Sequence, residues 1–530
     1  MSLQKCEMTR KRQMVIDAMF VKAQQCDLCF VVDCTGSMAA YIREVKNKVK
    51  EMVDDITSRF RYLKVRIAFV GYRDFCDGDD RLDVFNFNRD VKKFTDFVEG
   101  RKPFGGGDFP EDVFGGLNAA INLNWESETR ILIHIADAPC HGDKFLPKGA
   151  SGDDERHKLD ARGRDRSGLS APRLLSDLRD RALTYHFFHV IANNTIKMVS
   201  EFKKIASPMG FKISEVDLKG TPNLLQDAVV NSVTASIAGT LHLMSKKARA
   251  RRARKGRKVA SLSGSKVVMH GKQPNWDEIS EEQALEVWCE PPTELEDLCE
   301  GLDLVKRQHA VTLKVASKPF AEGHQRRAYY AQDVSDSKMF ELVMKRFKND
   351  AKSPSDYSKY EDQMEIQCVA GHLATLFNAK LSSLGFTQKV EFLRVRAIKM
   401  ISRQEPFHAN LEPLLKGEFE KFNSNCGYVG GLHDVLQAFS HWTYRATNGF
   451  LMVVDLQGLK ASEGYMLTDP AIHCKELCTM DGRYLFGTTN LGQKGMEAFF
   501  ATHRCSDVCK GLNLSITKGH GEVLRDASLQ

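Results

Sequence analysis

The chain has 530 residues, enough for two or three domains that each bury a core of their own. Its 42% hydrophobic and 27% charged residues and its net charge of +7 are ordinary for a soluble protein and do not indicate a nucleic-acid binder. No run of 18 apolar residues occurs and no apolar signal core follows Met1, so we expect neither a membrane span nor secretion. The 14 cysteines are therefore expected to be free thiols or zinc ligands in the reducing cytoplasm.

After an N-terminal segment, residues 1–25, short apolar runs alternate with helical patterns. A helix is predicted from Met38 to about Arg61, and the polar stretch 149–170 is predicted to be a surface loop. The alternation predicts an α/β domain over residues 26–245, a doubly wound and mainly parallel sheet with ligands at the carboxyl ends of its strands. The runs predicted as strands are Leu28–Asp33, Val65–Gly71, Ile131–Ala136 and Tyr185–Ile191.

Oxygen-bearing side chains follow two of these strands. Asp33, Thr35 and Ser37 alternate directly after the first strand, and Asp137 follows the run that ends at residue 136. A glycine-rich loop containing Asp108 lies between them in sequence. Carboxylates and hydroxyls at strand ends suit Mg²⁺ or Mn²⁺. A helix N-cap is the alternative interpretation of the first three residues, because the same residue types favour that position.

The spacing Asp33-x-Thr35-x-Ser37 resembles the metal-ion-dependent adhesion site of von Willebrand factor A domains, and the resemblance covers roughly residues 26–240. It implies a binding role for this domain, with Asp137 among the metal-site residues. In that family a third loop usually supplies a threonine, and here Asp108 takes its place. A carboxylate there is expected to change the affinity for the metal and for an acidic partner side chain.

A dense basic run, residues 246–258, follows this domain. Crowded like charges repel one another, so residues 246–272 are predicted to be exposed, within a linker that extends to residue 289. The run lacks interleaved aromatic residues, which disfavours nucleic acid. Anionic lipid, a nuclear-import receptor, or calmodulin binding together with Ile237–Met244 stay open as its partners.

Beyond the linker, charged side chains again stand at the ends of predicted strands. Phe340–Lys345 is a strand that ends in a lysine, and the helical stretch Tyr360–Gln367 offers Glu361 or Glu365 as its partner. The apolar run 450–454 ends at Asp455, and Gln457 and Asp469 follow. Two carboxylates near a strand end are what Mg²⁺-dependent phosphoryl transfer requires.

The order of these motifs resembles that of the atypical alpha-kinase family, which includes myosin heavy chain kinases and the elongation-factor kinase. The match covers roughly residues 290–520, followed by a tail at 521–530, and it implies an α+β kinase fold. It implies that Gly323 and Arg326 belong to a loop over the phosphates, that Lys345 binds ATP with Glu365 as its carboxylate partner, and that Glu412 lies beside the adenine.

The same resemblance assigns roles to the second group. Asp455 matches the catalytic aspartate that orients or deprotonates the acceptor hydroxyl, while Gln457 and Asp469 match the groups that hold Mg²⁺ and the triphosphate. The interval between Asp455 and Asp469 is a few residues longer than is usual in the family. The family associates the glycine-rich segment with the peptide substrate, and its matching residues here are Gly487, Asn490, Gly492 and Gly495.

His503, Cys505 and Cys509 supply three nitrogen or sulfur ligands, which we predict to lie on one helix. The family resemblance supplies His441 as the fourth. Two histidines and two cysteines in tetrahedral coordination suit a closed, structural zinc site.

The combined architecture resembles von Willebrand factor A alpha-kinases. It implies an ATP-dependent serine/threonine kinase that acts on protein substrates, with myosin heavy chain or other helical segments as candidates. The first domain would recruit partners in the cytoplasm, at membranes or at the cytoskeleton. A catalytically inactive, metal-dependent adaptor is the alternative, and the oligomeric state is not determined by the sequence.

Overall fold

A computed structural model describes most of the chain. The chain forms two compact units, one of residues Asp17–Met244 and one that joins Met1–Ile16 to Ser245–Gln530. Gly323 and residues 256–268 of the predicted linker lie outside the description. The described ranges are 3–60, 62–150, 158–255, 269–291, 304–322, 326–335, 340–348, 357–403, 407–427, 429, 433–479 and 483–514.

The first unit is built on a six-stranded sheet in the order β3-β2-β1-β4-β5-β6. All neighbours run parallel except β2 and β3, as the alternating sequence predicts. The central strand β1 is buried along nearly its whole length because helices cover both faces of such a sheet. The strands are β1 (Gln25–Asp33), β2 (Lys64–Tyr72), β3 (Leu82–Asn88), β4 (Thr129–Ala136), β5 (Thr184–His189) and β6 (Ile213–Asp217).

Amphipathic helices flank this sheet, and a long helix, α1 (Leu3–Ala23), precedes it. Met198, Val199 and Phe202 of one flanking helix belong to the same apolar cluster as Leu132 of β4. The helices that follow α1 are α2 (Ala39–Arg59), α3 (Val91–Glu99), α4 (Val113–Ile121), α5 (Ala171–Asp180), α6 (Ala192–Ala206) and α7 (Leu225–Lys255).

Part of the basic run is helical, because α7 continues into it as far as Lys255, and the predicted exposure of this linker stays a prediction. Alanine, arginine and lysine are strong helix formers, and a helix already under way adds each further residue at low cost. The side chains of residues 246–258 lie outside the described part, and so do the calmodulin and lipid contacts predicted for them.

The second unit contains a seven-stranded sheet in the order β11-β14-β13-β7-β8-β10-β9. Strand β10 also pairs with β11, so six of the strands form a closed ring. Strand β7 lies before residue 290, the predicted start of this domain, and the folded unit therefore begins earlier than predicted. The strands are β7 (Glu281–Cys289), β8 (Lys306–Val315), β9 (Ala321–Glu322), β10 (Arg326–Asp333), β11 (Phe340–Phe347), β13 (Arg396–Met400) and β14 (Phe407–Pro413).

Two smaller sheets, with orders β12-β18-β17-β15 and β16-β19, and further helices belong to the described part of this unit. The longest helix, α8 (Ser358–Ser383), buries Leu373 and Phe377 in a core shared with Phe439. None of the helices in the described ranges is both long and apolar enough to span a membrane. The remaining elements are β12 (Lys389–Phe392), β15 (Glu420–Lys421), α9 (Asp434–Ala446), β16 (Leu451–Val454), β17 (Gln457–Ala461), β18 (Gly464–Leu467), β19 (Ala471–Cys474), α10 (Gly492–Thr502) and α11 (Asp507–Gly511).

Candidate active site and metal centres

Four charged side chains meet beside β11 in the second unit. The Nζ atom of Lys345 lies 2.5 Å from Oε1 of Glu412 and 2.9 Å from Oδ2 of Asp469. The other oxygen of Asp469 accepts a hydrogen bond of 2.6 Å from Nη2 of Arg326. The structure thus brings together the predicted residues Lys345, Arg326, Glu412 and Asp469 in one cluster of two cations and two carboxylates.

Burial and pairing act in opposite directions on the pKa values of this cluster. Burial lowers the pKa of Lys345, but the carboxylates of Asp469 and Glu412 outweigh it and hold that pKa above its ordinary value. Burial raises the pKa of Asp469, but Arg326 and Lys345 together bring it below its ordinary value. Both groups of this pair are therefore charged at neutral pH, which suits a site that binds phosphate and a divalent cation.

Asp469 is held through its backbone as well. Its φ of 54° lies in the left-handed region, which is sparsely populated by residues other than glycine. Gln457 donates from Nε2 to the Asp469 carbonyl at 3.0 Å, and Oε1 of Gln367 accepts from the Asp469 N–H at 3.2 Å. Sequence analysis missed Gln367, although a polar residue among the buried positions of α8 is a usable signal.

Asp455 occupies the turn after β16, as predicted, and has a φ of 62°. Its Oδ1 lies 2.6 Å from Nζ of Lys421. Asn423 supports the same turn, because its Oδ1 accepts from the Leu456 N–H at 2.8 Å. Among the described ion pairs and hydrogen bonds, none joins Asp455 directly to Lys345, so the candidate base and the candidate phosphate cluster are separate groups.

The prediction that Glu365 pairs with Lys345 is wrong. Glu365 and Glu361 both contact Nζ of Lys306, each at 2.9 Å. Glu412 is the carboxylate that contacts Lys345, and it is buried with Oε2 accepting from the Thr468 hydroxyl at 2.9 Å. Glu412 is therefore an ion-pair partner inside the charged cluster, and its place beside the adenine, which the resemblance implied, stays a prediction.

The four predicted zinc ligands converge at one point. Nδ1 of His441 lies 3.1 Å from Nε2 of His503, and the sulfur atoms of Cys505 and Cys509 lie 3.7 and 3.5 Å from that same nitrogen. All four ligand atoms lie within 4.8 Å of one another. Tetrahedral Zn²⁺ with bonds of about 2.0 to 2.3 Å separates its ligands by roughly 3.3 to 3.8 Å, so the donor set fits this metal.

The three C-terminal ligands do not share one helix. Helix α10 ends at Thr502, and α11 begins at Asp507. On a continuous helix, His503 would point away from both cysteines, because rotation of about 100° per residue separates positions 503 and 505 widely. Burial lowers the pKa of His441 to about 4 and that of His503 to about 3, so both rings are neutral and able to ligate at pH 7.

The predicted substrate segment is packed against the protein body. Asn490 is buried, donates to the carbonyls of Glu476 and Leu485, and accepts from the Gly492 N–H at 2.8 Å. A Cβ atom on Gly495 would lie 2.4 Å from the His473 ring, so only glycine fits there. Gly487 and Gly492 adopt φ values of 69° and 64°, which glycine reaches without strain.

In the first unit, Asp33, Thr35 and Ser37 adjoin one another at the end of β1. Thr35 donates to Oδ1 of Asp33 at 2.7 Å, and its hydroxyl lies 3.4 Å from that of Ser37. Burial, together with the charge of Asp137, raises the pKa of Asp33 to about 7. The second oxygen of Asp33 is buried without a hydrogen-bond partner, which fits a position for a divalent cation.

Glu111 is the buried carboxylate of the third loop. A Cβ atom on Gly106 would lie 2.9 Å from Oε1 of Glu111 and 3.3 Å from Cγ2 of Thr35, so this carboxylate approaches the loop after β1. Asp108, which the sequence favoured, is only half-buried. Sequence analysis missed Glu111, which stands three residues further along the same loop.

Comparisons with known proteins agree with both units. The sequence model of the alpha-kinase family matches residues 321–509, and that of the von Willebrand factor A domain matches residues 27–146. Alpha-protein kinase vwkA of Dictyostelium discoideum is 30% identical over 510 residues, which cover 94% of this chain and 78% of that protein. Myosin heavy chain kinase B of the same organism is 35% identical over 207 residues, 39% of this chain and 26% of that protein.

Among solved structures, the apoenzyme alpha-kinase domain of myosin-II heavy chain kinase A aligns with a TM-score of 0.37 and 28% identity. The alignment covers 45% of this chain and 98% of that domain. The chain thus combines a unit with a charged cluster around Lys345 and a unit with a von Willebrand factor A domain. The chain belongs to the alpha-kinase family, and it is an alpha-type protein serine/threonine kinase.

Proposed function

We propose that this kinase transfers the γ-phosphoryl group of ATP to serine or threonine residues of protein substrates through the cluster around Lys345. The observation that carries the proposal is the contact of Asp469 with both Lys345 and Arg326, at 2.9 and 2.6 Å. Two cations beside a carboxylate offer binding both to phosphate oxygens and to the divalent cation that accompanies them.

Each residue has a distinct part in this mechanism. Lys345 and Arg326 neutralise charge on the phosphates, and Glu412 keeps Lys345 oriented from its buried position. Asp469 and Gln457 would hold Mg²⁺, and this cation would offset the charge that develops on the phosphates during transfer. The acceptor oxygen bonds to the γ-phosphorus, the bond to the bridging oxygen breaks, ADP leaves, and Asp455 takes the hydroxyl proton.

The other predicted sites support this activity. The cluster of His441, His503, Cys505 and Cys509 would hold a structural Zn²⁺ that joins α9 to the C-terminal helices. Asp33, Thr35, Ser37 and Asp137 would hold Mg²⁺ or Mn²⁺ in a domain that recruits partners or substrate. The segment from Gly487 to Gly495 would face the peptide substrate.

The names of related proteins suggest candidate substrates. Several relatives are myosin heavy chain kinases, so a myosin tail is the first protein to try as acceptor. A cytoplasmic location and contacts of the basic run with calmodulin or anionic lipid belong to the same proposal, and neither requires a membrane span.

Phosphate incorporation from Mg-ATP into a basic protein and a myosin-tail fragment tests the activity. The wild-type chain is compared with Lys345→Ala and Asp455→Ala, and loss of about 10³-fold or more is expected in both because each removes a group that acts on the reacting atoms. A folded, zinc-loaded wild type that incorporates no phosphate would favour the inactive, metal-dependent adaptor instead.

A further inference from the structure

Helix α1 contributes two buried basic side chains to the kinase unit. Residues Met1–Ile16 belong to that unit although the whole first domain separates them from it in sequence. Nζ of Lys5 lies 2.5 Å from Oε2 of Glu476. Nη2 of Arg12 donates to the Thr488 carbonyl at 2.6 Å and to the Asn490 carbonyl at 3.0 Å. Burial of a long cationic side chain is unusual unless its donors are used.

The two hydrogen bonds of Arg12 end on the segment Tyr484–Leu491, just before α10. Three successive carbonyls of this segment accept bonds from side chains outside it, because Asn425 donates to the Thr489 carbonyl at 3.1 Å between the two that Arg12 engages. The Arg12 guanidinium also lies 5.5 Å from the centre of the Tyr484 ring. The conformation of this segment therefore depends on a residue that is more than 470 positions away in sequence.

The same segment is coupled to the turn that carries Asp455. Asn423 holds that turn through the Leu456 N–H, and Asn425, two residues further on, contacts Thr489. His473 joins the two stretches again, because its ring lies 2.9 Å from the Asn425 carbonyl and accepts from the Leu491 N–H at 3.1 Å. Arg12 thus acts on the side of the site where the acceptor hydroxyl meets Asp455, whereas the phosphate cluster has its own supports.

We propose that Arg12 is a positioning residue for the protein substrate: it fixes the segment Tyr484–Leu491 in the conformation that presents the acceptor to Asp455. This inference rests on the proposed kinase activity. It makes the first half of α1 a functional part of the kinase unit. It predicts that loss of Arg12 changes the KM for the acceptor protein but not the KM for ATP.

Full-length Arg12→Ala, Arg12→Lys and Arg10→Ala variants test the inference. Arg10 is exposed on the same helix and serves as the matched control. In Arg12→Ala we expect the rate of amide exchange of residues 484–491 to rise about tenfold. The reason is that the hydrogen bonds from the charged guanidinium to the segment are lost. The KM for the acceptor protein should rise about tenfold, while the KM for ATP stays within twofold and Arg12→Lys recovers part of the loss.

The outcomes separate the two proposals. If the wild type transfers phosphate but amide exchange of residues 484–491 is unchanged in Arg12→Ala, the positioning role is overturned and the proposed function is not. A fall in kcat with equal rises in the KM values for the acceptor and for ATP would indicate a purely structural role of Arg12. This result would also overturn the positioning role. A wild type without phosphate transfer refutes the proposed function and the positioning role with it. A selective rise in the acceptor KM, with Arg10→Ala equal to wild type, supports the inference.

Discussion

The two candidate sites differ in how the charges of their buried carboxylates are balanced. In the kinase unit, Asp469 and Glu412 contact Lys345, and Arg326 adds a second cation. In the first unit, no ion pair among the described residues includes Asp33 or Glu111, although both are buried. The pKa of Asp469 accordingly lies below its ordinary value, although burial keeps that of Glu412 above its own. In the first unit, burial raises the pKa of Asp33 to about 7 and that of Glu111 to about 10. One site carries its own counter-charges, while the other depends on a proton or a bound cation.

Replacing the central carboxylate of the kinase site should give the largest effect. Asp469→Asn keeps the shape but leaves Lys345 and Arg326 without their shared anion and removes a ligand for Mg²⁺. We expect kcat/KM for ATP to fall about 10³-fold, as for other preorganised electrostatic groups. Glu365→Ala is the control, since the ion pair described for Glu365 is with Lys306, and the variant should retain activity within about threefold because partly exposed ion pairs are weak. A fall of less than tenfold in Asp469→Asn would contradict the proposed site.

Loss of a zinc ligand should lower the stability of the kinase unit and not that of the first unit. Cys509→Ser, or chelation of the wild type, is expected to lower the melting temperature of the kinase unit by more than about 10 °C, because ligands in a closed zinc site contribute directly to folding. Metal analysis and thermal melting measure this result. Cys6→Ser, at an exposed position of α1, should leave zinc content and melting unchanged. Equal zinc content in Cys509→Ser and the wild type would remove this residue from the ligand set.

Acid should weaken the first unit through histidines that the fold keeps neutral. Burial lowers the pKa of His134 to about 3 and that of His186 to about 4, and the ring of His134 lies 2.8 Å from the hydroxyls of both Tyr72 and Tyr185. The unfolded chain protonates these rings below about pH 6.5, so it binds more protons than the folded chain and stability falls as the pH drops from 6.5 towards 4. Each ring should contribute about 3 kcal/mol of this loss at pH 4.

Asp33 and Glu111 change the stability of the first unit with pH in the opposite direction to the histidines. Their raised pKa values favour the fold at low pH and cost stability as the pH rises. Comparison of the wild type with a His186→Gln variant therefore isolates the contribution of His186. Urea unfolding, followed by amide exchange of β4 and β5 and corrected for intrinsic rates, should show a shallower acid slope in the variant. The same slope in variant and wild type would mean that His186 is not held neutral.

The smallest expected effect concerns the cation site of the first unit. Mn²⁺ at about 100 times its Kd should stabilise this unit by about 2.7 kcal/mol, and Asp33→Asn should abolish that gain. Glu111→Gln should weaken Mn²⁺ binding more than Asp108→Asn does, because Glu111 is the buried carboxylate. Transfer to a generic peptide should change less than twofold in all three variants. Stabilisation that persists in Asp33→Asn would place the cation elsewhere.

Much of the architecture could be predicted from the sequence. The apolar runs that became β1, β2, β4 and β5 are long enough to be recognised, and the regular alternation with helices predicts their parallel order. The lysine at residue 345 and the aspartate at residue 455 are identifiable because each stands at or just beyond a strand.

The partner of Lys345 could not be predicted from the sequence in the same way. Glu365 and Glu412 are both carboxylates at reasonable distances in sequence, and only the pairing of β11 with β14 separates them. Val343 lies opposite Glu412 in that register, so Glu412 and Lys345 are diagonal neighbours on one face of the sheet. The break between α10 and α11 and the docking of α1 are likewise set by tertiary packing, which local patterns do not encode.

Asp455 and Asp469 share one further property, the left-handed backbone conformation at φ values of 62° and 54°. Glycine adopts this conformation at a cost lower by about 1 kcal/mol, so replacing either aspartate by glycine would ease the local backbone while ending catalysis. Both turns therefore hold a carboxylate of the proposed site at a cost in local backbone energy, which is typical of functional sites.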